Sequence, residues 1–254
     1  MMQELNHFKH KVHVVFKRED LDSERLEGKV VIVLDVLFAT STIIHALHSG
    51  VAEVIPTLDE ASARNIAKNY RRENTVLAGE LYGETIPGFS HPAPLSLAQE
   101  ELDEKTLIYS TTNGTVAIRQ SLGADEIFVG ALINAESLVE HITSTYPEKT
   151  ILIVCSGSMG SPNLEDTCGA GYFVELLRYR LKDAGADAFS DAAETARLVF
   201  KSEPSSESLL KSRVGRMMTA RGMTDEVRFA ANLSSHQIVP QVFGEVIKPL
   251  KQDQ

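Results

Sequence analysis

Four carboxylates stand where apolar runs give out. Asp35 follows Val30 to Leu34, Glu80 follows Thr75 to Ala78 and Gly79, and Glu165 with Asp166 follow Ile151 to Val154 and a loop of small residues. Short unbroken aliphatic runs read as strands buried on both faces. Three of the loops are rich in hydroxyls: VLDVLFATST, IYSTTNGT and VCSGSMGSPNLEDT. In an open α/β sheet such loops lie at the carboxyl ends of the strands, where ligands bind. Helix N-termini there offer unpaired N–H groups to an anion, each contributing roughly 0.3–1 kcal/mol when exposed. Thr40, Ser41, Thr112, Asn113, Gly114 and Gly157 are therefore candidates for holding phosphoryl oxygens.

Carboxylates alone would repel a phosphate. With Mg²⁺ between them they make its binding favourable. Asp35, Glu80 and Asp166 are candidate metal ligands, and Asp35, Glu80, Glu165 and Asp166 candidate ligands or water-activating bases. The plainer readings are helix capping for Asp35 and Asp166 and a solvated loop acid for Glu80. Cys155, at a strand end beside a helix, is a candidate nucleophile or simply a small buried residue. His91 is a candidate cation or general acid, and otherwise a surface histidine. Arg213, Arg216 and Arg221 lie where a helix and loop could fold over the site; a solvated face is the default.

The elements that must position these groups alternate along the chain. Strands are expected at Val12 to Phe16, Val30 to Leu34, Val54 to Ile55, Thr75 to Ala78, Thr106 to Tyr109, Glu126 to Val129 and Ile151 to Val154. Helical patterns lie between them, with Asp59 as a cap. Three glycines and three prolines make 79–94 a long irregular loop. Further helices are expected over 95–102, 192–200 and 208–220. Ile238 to Phe243 reads as an edge strand because of Pro240. The alternation predicts an α/β fold with a mostly parallel sheet and helices on both faces. One domain is expected over 1–254, with roughly the last 60 residues, about 190–254, as a helical cap and an extra edge.

The 254 residues carry a net charge of −10, from 25 basic and 35 acidic side chains, which argues against a general nucleic-acid binder. A small anion remains an acceptable partner because a metal or local basic groups can reverse the field. Cys155 and Cys168 form no CxxC, so a reducing compartment is expected. No apolar run approaches the ~20 residues of a membrane span, and the start has no apolar signal core. A cytoplasmic protein without membrane partners is expected.

Several phosphate-handling motifs are missing. Ser161, not Arg, lies six residues after Cys155; Asp35-Val36-Leu37 lacks a second Asp; Gly157 and Gly160 precede no Lys-Ser/Thr pair. SGSMG at Ser156 to Gly160 is not a GxSxG elbow.

DVLFATSTI at Asp35 to Ile43, Gly79-Glu80, IPGF at Ile86 to Phe89, STTNGT at Ser110 to Thr115, CSG and LEDT within Cys155 to Thr167, and Gly169-Ala170-Gly171 occur in order. Through them the chain, over roughly Val30 to Val242, resembles the 2-phosphosulfolactate phosphatases. The resemblance implies a three-layer α/β/α fold, Mg²⁺-dependent hydrolysis of a small phosphorylated hydroxy acid on the route to coenzyme M and sulfolactate, and a homodimer. The alternative is a catalytically altered member that binds a small anion. Phe38 and Leu81 stand where the family commonly has arginines, and the loop at Gly88 to Pro94 lacks an acid and an amide. Arg is suited to gripping an oxyanion bidentately. These departures predict weak use of 2-phosphosulfolactate itself and preference for a less charged or more apolar phosphorylated acid.

Overall fold

The computed structural model describes residues 11–182 and 185–250. Its strands are β1 (Val12–Val15), β2 (Lys29–Leu34), β3 (Glu53–Thr57), β4 (Thr75–Leu81), β5 (Glu84–Thr85), β6 (Thr106–Ser110), β7 (Glu126–Gly130), β8 (Thr150–Cys155), β9 (Pro240–Phe243) and β10 (Val246–Pro249). Its α-helices are α1 (Ala39–His48), α2 (Glu60–Ala67), α3 (Pro94–Leu97), α4 (Gly114–Gln120), α5 (Ala135–Thr145), α6 (Leu164–Arg180), α7 (Asp191–Ser202), α8 (Ser205–Lys211), α9 (Arg213–Ala220) and α10 (Thr224–Ala230).

The unbroken apolar reading of β2 and β8 has a direct cause: both faces of the sheet are covered. Val30, Ile32 and Leu34 pack with Leu138 and Ile142 of α5 and Phe173 and Leu177 of α6. The alternate residues Val31 and Val33 pack on the other side with Ile43, Ile44 and Leu47 of α1 and Ile118 of α4. Side chains point alternately to the two faces of a strand, so the result is three layers, helix on sheet on helix. A smaller cluster, with Ile55, Ala63, Ile86, Phe89 and Ile108, lies under α2 and the loop after β5.

The sheet order is β1-β8-β2-β7-β9-β10-β3-β6-β4-β5. It consists of two parallel blocks. In the first, β2 runs parallel to β8 from Lys29↔Thr150 to Leu34↔Cys155, and to β7 from Val30↔Glu126 to Leu34↔Gly130. In the second, β6 runs parallel to β3 and β4. The hairpin β9–β10 joins them through single antiparallel pairs, Phe128↔Gln241 and Ile247↔Val54. Three antiparallel steps lie between β7 and β3, so the second block runs opposite to the first. In a flat sheet the carboxyl ends of the blocks would lie on opposite edges. They meet instead: a Cβ added at Gly114, just after β6, would lie 2.6 Å from Asp35 Oδ2, just after β2.

The expected edge strand at 238–243 is thus in the interior of the sheet, paired on both sides, and its partner β10 was not anticipated. Pro240 is tolerated because it lies opposite Pro249 at the end of the hairpin, while β7 meets β9 at Gln241 alone. The helix expected over 95–102 is one turn. Glu226 of α10 takes the Leu95 and Ser96 amides at 2.8 Å each, and the chain then turns to bury Leu102. The helix expected over 208–220 breaks at Ser212, whose hydroxyl accepts from the Gly215 amide at 2.9 Å and so caps α9. Cys155 and Cys168 are buried free thiols. Among the described residues no helix is long and apolar enough to cross a membrane.

Candidate functional site

Asp35 ends β2 at the point where α1 and α4 begin. Burial, with Glu80 and Glu165 nearby, raises its pKa to about 7, against the lowering effect of the Ala39 and Gly114 backbone amides. Gly114 is required there, because a Cβ would stand 2.4 Å from the Ala39 Cβ. Two helix N-termini therefore close on one carboxyl group. Asp35 lies at the wall of a cavity of about 790 Å³, lined also by Glu80, His91, Thr111, Thr112 and Asn113. Asn113 precedes α4 without capping it through its side chain, so its amide is not spent on the helix.

Glu80 organises two loops. Its Oε1 accepts from the Thr112 amide at 2.6 Å, and its Oε2 from the Gly83 amide at 2.6 Å and the Thr112 hydroxyl at 3.0 Å. That hydroxyl in turn accepts from the Tyr82 amide at 3.0 Å. Glu80 and Thr112 thus fix the β4–β5 turn against the loop after β6.

Asp166 is fully buried and is not among the lining residues. Its Oδ1 accepts from the Val36 amide at 2.8 Å and its Oδ2 from the Gly157 amide at 3.1 Å. It ties the end of β2 to the loop after β8. Burial, then Asp35 and Glu165, push its pKa well up. Glu165 is 1% exposed and, like Asp166, is not among the lining residues; neither of its side-chain oxygens makes a well-formed hydrogen bond, although the Ser212 hydroxyl and its own amide lie close. Burial raises its pKa, opposed by its own amide, the Ser212 hydroxyl and the Arg213 charge.

A family model for 2-phosphosulpholactate phosphatase matches residues 15–244. The chain belongs to that family. A Clostridium novyi protein named as a probable 2-phosphosulfolactate phosphatase is 32% identical over 233 residues, covering 91% of this chain and 96% of the relative. Proteins with the same name from Caldanaerobacter subterraneus subsp. tengcongensis and Clostridium kluyveri are each 31% identical, covering 90% and 94% of this chain and 93% and 97% of their own.

Within this family member the other sequence candidates separate into open and spent groups. Thr112 and Asn113 line the cavity. Thr40 and Ser41 are buried, and their hydroxyls serve the backbone: Thr40 Oγ1 accepts from the Asp35 amide at 3.0 Å and Ser41 Oγ donates to the Val36 carbonyl at 2.8 Å. Gly157 is away from the cavity lining. Its φ of +66° and a would-be Cβ 2.8 Å from Lys17 and from the Ser161 carbonyl explain the glycine. Cys155 is 0% exposed, and burial pushes its thiol pKa well up, so it presents no thiolate to the cavity. The metal set Asp35, Glu80 and Asp166 is not assembled as a cage: among the described residues no three His, Cys, Asp or Glu side chains converge in that way.

Positions 38 and 81, where the resemblance led to the expectation of arginines, hold Phe and Leu, and the cations that reach the cavity lie elsewhere. Phe38 lines the cavity, whereas Leu81 is 53% exposed and does not. Arg18, Arg213 and Arg221 all line it. Arg18 Nε is a buried donor without a partner. Arg213 is held by the Ser158 hydroxyl. Arg221 bonds the Gly83 carbonyl and pairs with Glu84 at 2.6 Å, fastening α9 to β5. Arg18 escaped sequence reasoning because it lies in a charged loop 17 residues before Asp35, with no pattern to mark it. Arg216 bonds the Lys211 carbonyl and is not a lining residue.

Proposed function

We propose that the protein hydrolyses a small phosphorylated hydroxy acid with the help of Mg²⁺. The carrying observation is that Asp35, Asn113 and three guanidinium groups meet at one cavity although they come from opposite-running sheet blocks and a distant helix. The donor chemistry fits the ion. Mg²⁺ keeps several waters and binds through one or two carboxylates plus substrate phosphate rather than in an all-protein cage. Asp35 faces the cavity and would hold it; Glu165, outside the lining but close enough to act on Asp35, has two oxygens without a well-formed hydrogen bond and would be the second ligand. Glu80 and Asp166 already accept backbone amides and hold the loops in place. When bound, the ion neutralises phosphoryl charge and orients the water that attacks.

The protein's own groups do the rest by positioning, as is usual in phosphoryl transfer. The Asn113 amide takes a phosphoryl oxygen beside the start of α4. Arg18 and Arg213 take the second acid group of the substrate, carboxylate or sulfonate. As water adds to phosphorus and the ester P–O bond breaks, the water's proton passes to the leaving oxygen, which accepts a hydrogen bond from Nε2–H of the neutral His91. The Ala93 amide donates to its Nδ1 at 3.2 Å, which leaves Nε2 carrying the proton in the neutral ring. The names of its relatives and its family support the phosphatase reading. The test is phosphate release by the full chain from a set of small phosphorylated acids, 2-phospholactate and 2-phosphosulfolactate among them, with and without Mg²⁺. Binding of these acids without release would instead support an anion-binding member.

A further inference from the structure

The cavity has two unlike walls. One, the polar wall, carries Asp35, Glu80, Thr112 and Asn113; the other, the methionine wall, carries Tyr82, Met159, Val214, Met217, Met218 and Met223, with Arg213 and Arg221 among them. The chain has six methionines. Apart from Met1 and Met2, every one of them lines this cavity. Met218 belongs to the hydrophobic core, and Met217 and Met223 pack against it, so these three present one side to the core and one to the cavity; Met159 is 83% exposed and has no such packing role. Tyr82 is 79% exposed, and both residues have φ of +54°. A left-handed backbone at a non-glycine residue costs on the order of 1–3 kcal/mol and persists where surrounding structure enforces it. Here it holds two large apolar side chains at the mouth of the cavity. At about 790 Å³ the cavity lies high in the range of roughly 300–1,000 Å³ usual for drug-sized ligands. A three-carbon phosphoester on the polar wall leaves the methionine wall uncovered.

Resting on the phosphatase reading above, we propose that the substrate is a phosphorylated hydroxy acid with an apolar arm longer than a methyl group, and that the methionine wall receives this arm. Methionine suits the role because its thioether chain is flexible and polarisable and adapts to arms of different shape. The phosphate stays with Asn113 and the acid group with Arg18 and Arg213, so the arm projects toward α9 and the mouth.

The experiment is a chain-length series on the full protein: kcat/KM with Mg²⁺ for phosphoesters of 2-hydroxypropanoate, 2-hydroxybutanoate, 2-hydroxypentanoate and 2-hydroxyhexanoate. Expected is a rise of about three- to fourfold per methylene, the fold-change equivalent to about 0.8 kcal/mol per buried CH₂. Met217→Asp and Met159→Ser should each flatten that rise, with thermal melting used to confirm folding. A flat or falling series overturns the proposal, as does an unchanged slope in both variants. If no ester is cleaved, the phosphatase reading fails, and the arm is read separately from calorimetric Kd values for methyl-, propyl- and pentylphosphonate with Mg²⁺. Affinity that increases with chain length upholds the apolar subsite, and equal affinities overturn it.

Discussion

Asp35 is in an environment that disfavours its charge: it is buried, with Glu80 and Glu165 as neighbours. A carboxyl group with a raised pKa contributes stability below its unfolded value near 3.8, and loses that contribution as pH rises through about 7. Removing the charge should therefore stabilise the metal-free protein. Asp35→Asn is predicted to raise the melting temperature by several degrees at pH 8 in chelator, at roughly 2–4 °C per kcal/mol for a chain of this size. The gain should vanish at pH 4. Calorimetric melts at the two pH values check this; a lower melting temperature at pH 8 would mean that Asp35 is stabilised as an anion by its amides alone. The placement of Asp35 at a cavity was legible in the sequence, because an acid directly after a buried strand of an α/β sheet stands where ligands bind. The spent state of Thr40, Ser41 and Gly157 was not, since a hydroxyl or glycine in a loop looks the same whether it faces a ligand or its own backbone. The cation supply was legible in part. Arg213 and Arg221, named in the sequence as groups that could fold over the site but given a solvated face as default, do line the cavity, whereas Arg18 carried no pattern to mark it.

Among the elements, α4 and α1 are set by the contact between Gly114 and Ala39. Gly114→Ala should push α4 away from Asp35, because the new Cβ would have rigid neighbours at 2.4 and 2.6 Å. The expected cost is about 1–3 kcal/mol of stability, as for other overpacked sites, with a fall in kcat/KM of about 10²-fold or more, because a misplacement near 1 Å suffices for that. Urea denaturation and steady-state kinetics measure both; near-normal kinetics would detach α4 from the site. At its other end α1 joins a histidine cluster. His236 Nε2 lies 3.0 Å from His45 Nδ1, and its ring is 4.5 Å from that of His48. Ser235 bonds its Nδ1, Phe229 of α10 packs on it, and Glu226 acts on His45. Burial, then His48 and His45, lowers the His236 pKa from 6.5 to about 4. In that window the unfolded chain binds a proton that the native state does not, so stability falls as pH drops from about 6.5 to about 4. His236→Gln should remove on the order of 2 kcal/mol of this loss, read as a shallower slope of unfolding free energy against pH. An unchanged slope would assign the acid sensitivity to other groups. The order of strands and helices up to α6, apart from the short β5 inside a stretch read as irregular loop, was readable because apolar periods of two and 3.6 residues dominate there. Beyond it, Ser212 looked like a mid-helix serine and proved to be a cap.

At the scale of the molecule, the expectation of a three-layer α/β/α fold with a mostly parallel sheet holds. Local pattern could not disclose that the sheet comprises two opposed parallel blocks, because the reversal depends on where β9 and β10 insert. Pro240 pointed to an edge, yet the single-pair junctions let a proline-bearing hairpin lie inside. Asp35 and Asn113, from the two opposed blocks, nevertheless line one cavity, to which α9 supplies Arg213, Val214, Met217 and Met218. The central claim is that the shared cavity is a Mg²⁺-assisted phosphoesterase site built on Asp35. Its most direct test is phosphate release from the best-used 2-phospho acid, measured for the wild type and Asp35→Asn, each in Mg²⁺ and in excess chelator. The account predicts release by the wild type in Mg²⁺ only, with Asp35→Asn reduced by about 10³-fold or more, the size of effect expected when a main electrostatic group is lost. Full release in chelator, or an Asp35→Asn variant as active as the wild type, would contradict it.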